Sequence, residues 1–353
     1  MKFIHIADIH LGVEPDAGSS YSSSRPAEIW NSFQRIIEIC EKEQTDLLLI
    51  AGDLFHRQPL LRELKVVDYL FSTFSKTQVV FVVGNHDYIK KNSYYRTFTW
   101  SSNVHALLDE KLSFVELPEL DTVVYGLSYY KKEIEEFLFD EQMPESKLRN
   151  KILLAHGGDA KHIPFRKENL MAQGYDYIAL GHIHKPQEQV PGKMAYAGAL
   201  EPIDKNDTGV HGYRKGMIIN HICKSEFVPF ASREYVHMNI EVTKEMTGFG
   251  IRSKLNEAIE NRGAHHIYKI ILNGYRSPEL SLDYQALDGY GNIVEIVDET
   301  RPAYDFEKLL RLNQENLIGH YIQSFSGEPE TSVEYEALCE GISALMETRR
   351  GQE

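Results

Sequence analysis

Five short runs within the first 184 residues each close a strand-like apolar stretch with a carboxylate, an imidazole or a side-chain amide. They are Asp8-Ile9-His10, Gly52-Asp53, Gly84-Asn85-His86-Asp87, His156-Gly157 and Gly181-His182-Ile183-His184. A sheet delivers its strand ends to one edge, so side chains about 175 positions apart can meet at a single crevice. Apolar runs also alternate with helical patterns as in an α/β domain. Strands are predicted over 2–7, 46–51, 79–83, 123–126, 151–155 and 177–180, and helices over 26–43 and 60–74. After His184 the short pieces 194–197, 216–220 and 227–230 suggest a second sheet packed on the first.

The donor inventory narrows the chemistry. Two five- or six-coordinate cations sharing one bridging group need about seven protein ligands, with water filling the rest. Asp8, His10, Asp53, Asn85, His156, His182 and His184 supply seven. Imidazole mixed with carboxylate suits Mn, Fe, Zn or Ni, whereas Mg would favour oxygen donors. In an extended segment residues two apart point the same way, which would turn Asp8 with His10, and His182 with His184, toward one place. His86 lies one residue further into its loop than Asn85. An imidazole beside two cations that does not bind them is placed to act as general acid for a leaving oxygen, and Asp87 could hold its other nitrogen.

In this order the five runs resemble the motifs of the calcineurin-like metallophosphoesterases. More narrowly, Ile4-His5-Ile6-Ala7-Asp8-Ile9-His10-Leu11-Gly12 and Gly52-Asp53-Leu54-Phe55 look like the SbcD-type DNA-repair exonucleases, which work with an SMC-like ATPase. The resemblance covers roughly residues 1–200. It implies a two-sheet α/β (α+β) sandwich flanked by helices over 1–235 and a small α/β capping domain over 236–300; the helical pattern from Tyr304 onward adds a C-terminal helical segment over 301–353. Carried over by position, Asp8, His10, Asp53 and His184 fall on one metal and Asp53, Asn85, His156 and His182 on the other, so Asp53 bridges. His86 takes the catalytic-histidine place. The implied cofactor is a pair of divalent ions, Mn first, and the implied partners are DNA and the ATPase. His56-Arg57 departs from the family pattern, where many relatives carry an acidic residue.

Other features set looser bounds. Cys40, Cys223 and Cys339 are odd in number and spread apart, which agrees with a reducing cytoplasm rather than a disulfide framework. No run of 18 apolar residues suggests a membrane span. A net charge of −14 is the wrong sign for a uniformly basic DNA-binding surface, and residues 298–353 contribute half of it with 12 Asp/Glu against 5 Lys/Arg. A partner that carries much of the DNA contact reconciles charge and motif; a second copy of the chain is a further candidate partner. The acidic C-terminal helix, with Val333, Leu338, Ile342, Leu345 and Met346 near helical spacing, either docks on a partner's coiled coil or packs on its own cap. The stretch 90–96 mixes lysine, tyrosine and arginine and reads equally as a nucleic-acid contact or as the polar start of a helix. His5 is expected in the core, the pair His265-His266 at the surface, and His56, His162 and His211 receive no role.

Three classes of function remain: a metal-dependent nuclease subunit, a phosphoesterase acting on a nucleotide, cyclic nucleotide or pyrophosphate, and a non-catalytic scaffold. The intact ligand set argues against the scaffold, which needs none of those seven side chains. The nuclease is favoured by the N-terminal motif and the cap-like unit downstream.

Overall fold

The computed structural model describes residues 1–140, 146–325, 327–329 and 331–350, so residues 326, 330 and 351–353 of the expected C-terminal segment lie outside the described residues. The chain divides into two compact units, Met1–Tyr235 and Val236–Glu353.

The first unit runs β1 (Lys2–Ile6), α1 (Arg25–Glu43), β2 (Leu47–Ala51), α2 (Leu61–Ser72), β3 (Gln78–Val82), β4 (Val104–Ala106), β5 (Ser113–Leu117), β6 (Thr122–Gly126), β7 (Asn150–His156), α3 (Lys167–Ala172), β8 (Tyr177–Gly181), β9 (Gln187–Val190), β10 (Met194–Tyr196), β11 (Gly212–Ile219) and β12 (Ile222–Pro229). Two six-stranded sheets result, in the orders β12-β11-β1-β2-β3-β4 and β5-β6-β7-β8-β10-β9. Strands β1 to β4 are mutually parallel, as are β6, β7 and β8.

These strands form where they do because both of their faces find apolar cover, which is why they read as continuous apolar runs. In β2 the side chains of Leu47, Leu49 and Ala51 point between the sheets, against Val124, Ile152, Leu154 and Ala179. Leu48 and Ile50 point the other way, onto Ile29, Phe33 and Ile36 of α1 and Leu64, Val67 and Phe71 of α2. Each such leucine, isoleucine, valine or phenylalanine contributes about 1.5–3 kcal/mol by leaving water.

The expected second sheet has to be corrected. Its body is β5 to β8, already present before His184, and of the later pieces only β9 and β10 join it. Strands β11 and β12 form a hairpin that extends the first sheet, antiparallel to β1 with His5 opposite Arg214. Beyond its first residues this hairpin alternates between covered and open positions, the pattern of a strand pair with one wet face.

The second unit contains β13 (Tyr235–Val242), α4 (Gly248–Arg262), β14 (Ile267–Arg276), α5 (Tyr284–Leu287), β15 (Ile293–Asp298), β16 (Arg301–Pro302), α6 (Phe306–Leu312), α7 (Leu317–Ser324) and α8 (Val333–Arg350). Ile251, Leu255 and Ile259, four residues apart on α4, pack on Ile240 and Val242 of β13 and on Tyr268, Ile270 and Leu272 of β14. On α8, Leu338 and Ile342 are buried with Ile318 and Ile322 of α7, and Leu345 and Met346 pack beside them. Most of the apolar stripe of α8 is therefore used within its own unit. Among the described residues no helix is long and apolar enough to cross a membrane.

Candidate metal centre

Asp8 and His10 follow β1, Asp53 follows β2, Asn85 follows β3, His156 ends β7, and His182 and His184 follow β8. All seven thus sit at the carboxyl ends of parallel strands drawn from both sheets, where α/β folds build crevices. The loops hold one another: the Asp8 amide donates to the Gly52 carbonyl (3.2 Å), the His10 amide to Asp53 (3.0 Å) and the Leu11 amide to Leu54 (3.0 Å). Close approach requires glycine beside the ligands, since a Cβ on Gly84 would stand 2.2 Å from Asp53 Oδ1 and one on Gly52 2.3 Å from His156 Nδ1. The period-two argument for Asp8 and His10 does not apply, because both adopt left-handed backbone (φ 50° and 51°). They converge nonetheless, whereas His182 and His184 diverge to different neighbours.

The distances sort the seven into two sets that share Asp53, with Asp8 close to members of both, since it groups with His10 and His184 and also with Asp53 and His156. In one, His10 Nε2 lies 3.1 Å from His184 Nε2 and 3.9 Å from Asp53 Oδ2, with Asp8 grouped alongside. In the other, Asn85 Oδ1 lies 2.8 Å from His156 Nε2 and 3.2 Å from His182 Nδ1, while His156 Nε2 lies 3.4 Å from Asp53 Oδ2. Asp53 Oδ1 is occupied by the His86 amide (2.9 Å), which leaves Oδ2 to face both sets.

Three of the four histidines spend their other nitrogen on an acceptor outside the sets. His156 Nδ1 donates to the Ala51 carbonyl (2.9 Å), His184 Nδ1 to Asp207 Oδ2 (2.9 Å) and His182 Nε2 to Asp159 Oδ2 (2.7 Å). Neutral rings so fixed present lone pairs inward, where they meet Asn85 and Asp53 oxygens and the His10 ring. A cation or an added proton must separate these acceptors, so the residues fit a divalent-metal site. The proton alternative is visible in the titration. Burial opposes charge on His156, but Asp53 beside it pushes the ring up to about 9; His184 is likewise raised to about 9 against burial by Asp207 and Asp8. Burial drives His182 down to about 4 with the help of His156. Burial also raises Asp8 to about 6, whereas His156 and His10 hold Asp53 well below the carboxylate range in spite of its burial.

His86 is half-buried, its ring 4.8 Å from that of His10 and 4.9 Å from that of His56. The expected bond from Asp87 to His86 is absent among the described contacts. Fully buried, Asp87 accepts instead from the Gly84 amide (3.0 Å), the Phe55 amide (3.2 Å) and the Tyr95 hydroxyl (2.8 Å), so it braces the loop that carries Asn85. Burial lowers the His86 pKa, and the Asp53 carboxylate opposes that shift without overcoming it. Within 90–96, Tyr95 is buried by that bond, while Lys90, Lys91 and Tyr94 are exposed.

Four residues given no site role come to the site. His56 Nδ1 lies 3.4 Å from His10 Nδ1; Asp207 and Asp159 hold His184 and His182; and His162 Nδ1 lies 2.9 Å from Asp159 Oδ1. Spacing offered a hint only for Asp159, three residues past His156. His211 bonds the Gly209 carbonyl (3.0 Å), and His5 is in the core against the Tyr177 hydroxyl (3.0 Å).

The calcineurin-like phosphoesterase family model matches residues 1–186. The chain belongs to that family. It is therefore a metallophosphoesterase, a phosphoester hydrolase with a divalent-metal site. The chain is 27% identical over 307 residues, 80% of its length and 74% of the relative's, to the uncharacterized metallophosphoesterase YhaO of Bacillus subtilis. To the DNA double-strand break repair protein Mre11 of Methanocaldococcus jannaschii it is 28% identical over 266 residues, 69% of this chain and 70% of that one. To the protein of the same name from Sulfurisphaera tokodaii it is 25% identical over 369 aligned positions, 94% and 90% of the two chains.

Proposed function

We propose that this metallophosphoesterase is the nuclease subunit of a DNA-repair complex and hydrolyses phosphodiester bonds at a two-metal site. The observation that carries the reading is the double set of inward lone pairs sharing Asp53 Oδ2. Asp8, His10 and His184 would hold one ion, Asn85, His156 and His182 the other, and Asp53 both. Mn is the first choice, with Fe, Zn or Ni as alternatives, because imidazole and carboxylate are mixed. Bound there, two divalent ions would supply charge neutralisation at phosphorus and a water of lowered pKa.

The chain's own residues supply the rest. His86, outside both sets and beside His10, is in position to give a proton to the departing 3′ oxygen. Asp53 raises its basicity against burial, and the negative charge of an arriving phosphodiester would add to that. Names of relatives such as Mre11 support DNA as the substrate. The net charge of −14 supports a partner that shares the DNA contact, of the SMC-like ATPase kind. Leu312, Leu317 and Val333, exposed by 69%, 66% and 75%, are the apolar side chains that the C-terminal helices leave available for it. On this reading the α/β part of the second unit, over 236–300, acts as a substrate-selecting cap.

The test is a panel with Mn that compares duplex DNA, single-stranded DNA and a small phosphodiester. A strong preference for DNA is expected. Preference for the small ester would instead favour a nucleotide or pyrophosphate phosphoesterase, which the acidic surface suits.

A further inference from the structure

We propose that Asp159 and His162 form a positioning pair that fixes the ring of His182 and so sets the affinity of the ion position formed with Asn85 and His156. The inference rests on the two-metal reading above. Asp159 is 45% exposed at its side chain, and a carboxylate so open would normally be mobile. Here four donors hold it. The Lys161 and His162 amides reach Oδ1 at 2.8 and 3.0 Å, His162 Nδ1 reaches Oδ1 at 2.9 Å, and His182 Nε2 reaches Oδ2 at 2.7 Å. The His162 and His182 rings also pack against each other, 4.3 Å apart and tilted by 42°.

The turn that presents Asp159 starts at the residue after His156. The Gly158 amide donates to the His162 carbonyl (2.7 Å), and a Cβ on Gly157 would stand 2.2 Å from that same oxygen. One tight turn thus joins two members of the same set, His156 through the chain and His182 through Asp159. The other set has its own carboxylate, Asp207, which takes His184 Nδ1 and the Ile203 amide (3.1 Å) and is only 13% exposed. Each set therefore carries one outer carboxylate, and each can be loosened separately.

Asp159, His162 and His182 also lie close enough to hold a cation of their own. That would require His182 to surrender its Nε2 proton while Nδ1 remains turned to Asn85, and a neutral imidazole has a single lone pair. An orienting hydrogen bond is the role that leaves Nδ1 free to bind metal.

The experiment titrates Mn into chelator-stripped, full-length protein by calorimetry, with circular dichroism as the folding check. Wild-type protein is expected to take up two Mn. Asp159→Ala should weaken one of them by about 10- to 100-fold and leave the other unchanged, and Asp207→Ala should weaken the opposite one. Asp159→Asn, which keeps shape and an accepting oxygen, should fall between, and decides the matter if the alanine variant does not fold. Excess Mn should restore turnover of Asp159→Ala, which a merely structural defect would not allow. Wild-type uptake of one Mn refutes the two-metal reading itself. Uptake of two, with both affinities unchanged in the Asp159 variants, refutes only the positioning pair, as does a third Mn that disappears with Asp159.

Discussion

His5 offers a prediction whose size can be worked from the structure. Its ring is fully buried on β1, three residues before Asp8, and burial together with the nearby Arg214 guanidinium pushes its pKa down to about 3 from an ordinary 6.5. The native state keeps the ring neutral, while the unfolded chain takes up a proton below pH 6.5. Stability from this residue is thus intact above pH 6.5 and is lost progressively as pH falls toward 3. Between pH 7 and pH 5 the loss is about 2 kcal/mol, roughly one and a half pH units at 1.36 kcal/mol each. Asp8 and Asp87, raised by burial to about 6 and about 7, work in the opposite sense, since the native state protonates them first. The effect must therefore be read as a difference. His5→Gln, which cannot titrate, should lose about 2 kcal/mol less than wild type on going from pH 7 to pH 5, and any cost of the substitution that does not depend on pH cancels. Urea unfolding followed by tryptophan fluorescence suits the measurement, because Trp30 and Trp100, the two tryptophans, both lie in the first unit. An equal drop in both proteins would refute the reasoning.

After Mn reconstitution, Asp53→Ala should lose both ions and Asp8→Ala mainly one; elemental analysis that finds equal loss in the two variants would argue against a bridge. His86→Ala should keep its metal while turnover on DNA falls by roughly 10²–10⁴-fold, with a smaller fall on a nitrophenyl ester whose leaving group needs no proton. Equal falls on both substrates would remove the general-acid role. Leu317→Asp combined with Val333→Asp should abolish co-purification with an SMC-like ATPase while hydrolysis of a small phosphodiester persists, and unchanged capture would place the partner elsewhere.

The strands that carry the site were legible for the reason that makes them stable. Strands β1, β2, β3, β7 and β8 are covered on both faces along most of their length, so each reads as a largely apolar run, interrupted in β1 by the buried His5. Strands β4, β5 and β9 leave no such pattern because they are short or half-exposed, and their residues alternate too weakly to stand out from loops. The membership of the second sheet is not encoded in the same way, because an apolar pattern says that a strand is buried, not which neighbour buries it. At the site, residue types at strand ends identified the seven converging side chains. The partners that fix ring orientation left no comparable trace: Asp207 reaches His184 across a polar loop, and nothing in its spacing distinguishes it from Asp204. Asp87 failed in the opposite way. Adjacency to His86 suggested a bond between the two side chains, but a tight loop turns neighbouring residues to different sides, and three inward donors claim the carboxylate.

Backbone conformation explains why chemistry-bearing residue types can be read so directly here. Asp8, His10, Asp53 and His182 all have positive φ, between 50° and 95°, a region that costs a residue with a Cβ roughly 1–3 kcal/mol. Glycine would adopt these angles without strain. Aspartate and histidine therefore stand at these positions against the preference of the backbone, and the surrounding loops must hold them there. The holding is mutual. The Asp8 and His10 amides bond to the β2 loop, and the His182 amide donates to both Asp8 carboxylate oxygens (3.0 and 3.1 Å). Each strained residue thus rests on a loop that bears another member of the same centre. Side chains from β1, β2 and β8 thus arrive at the centre on one interlocked backbone frame, whereas Asp159 and Asp207 each orient a single histidine ring from outside it.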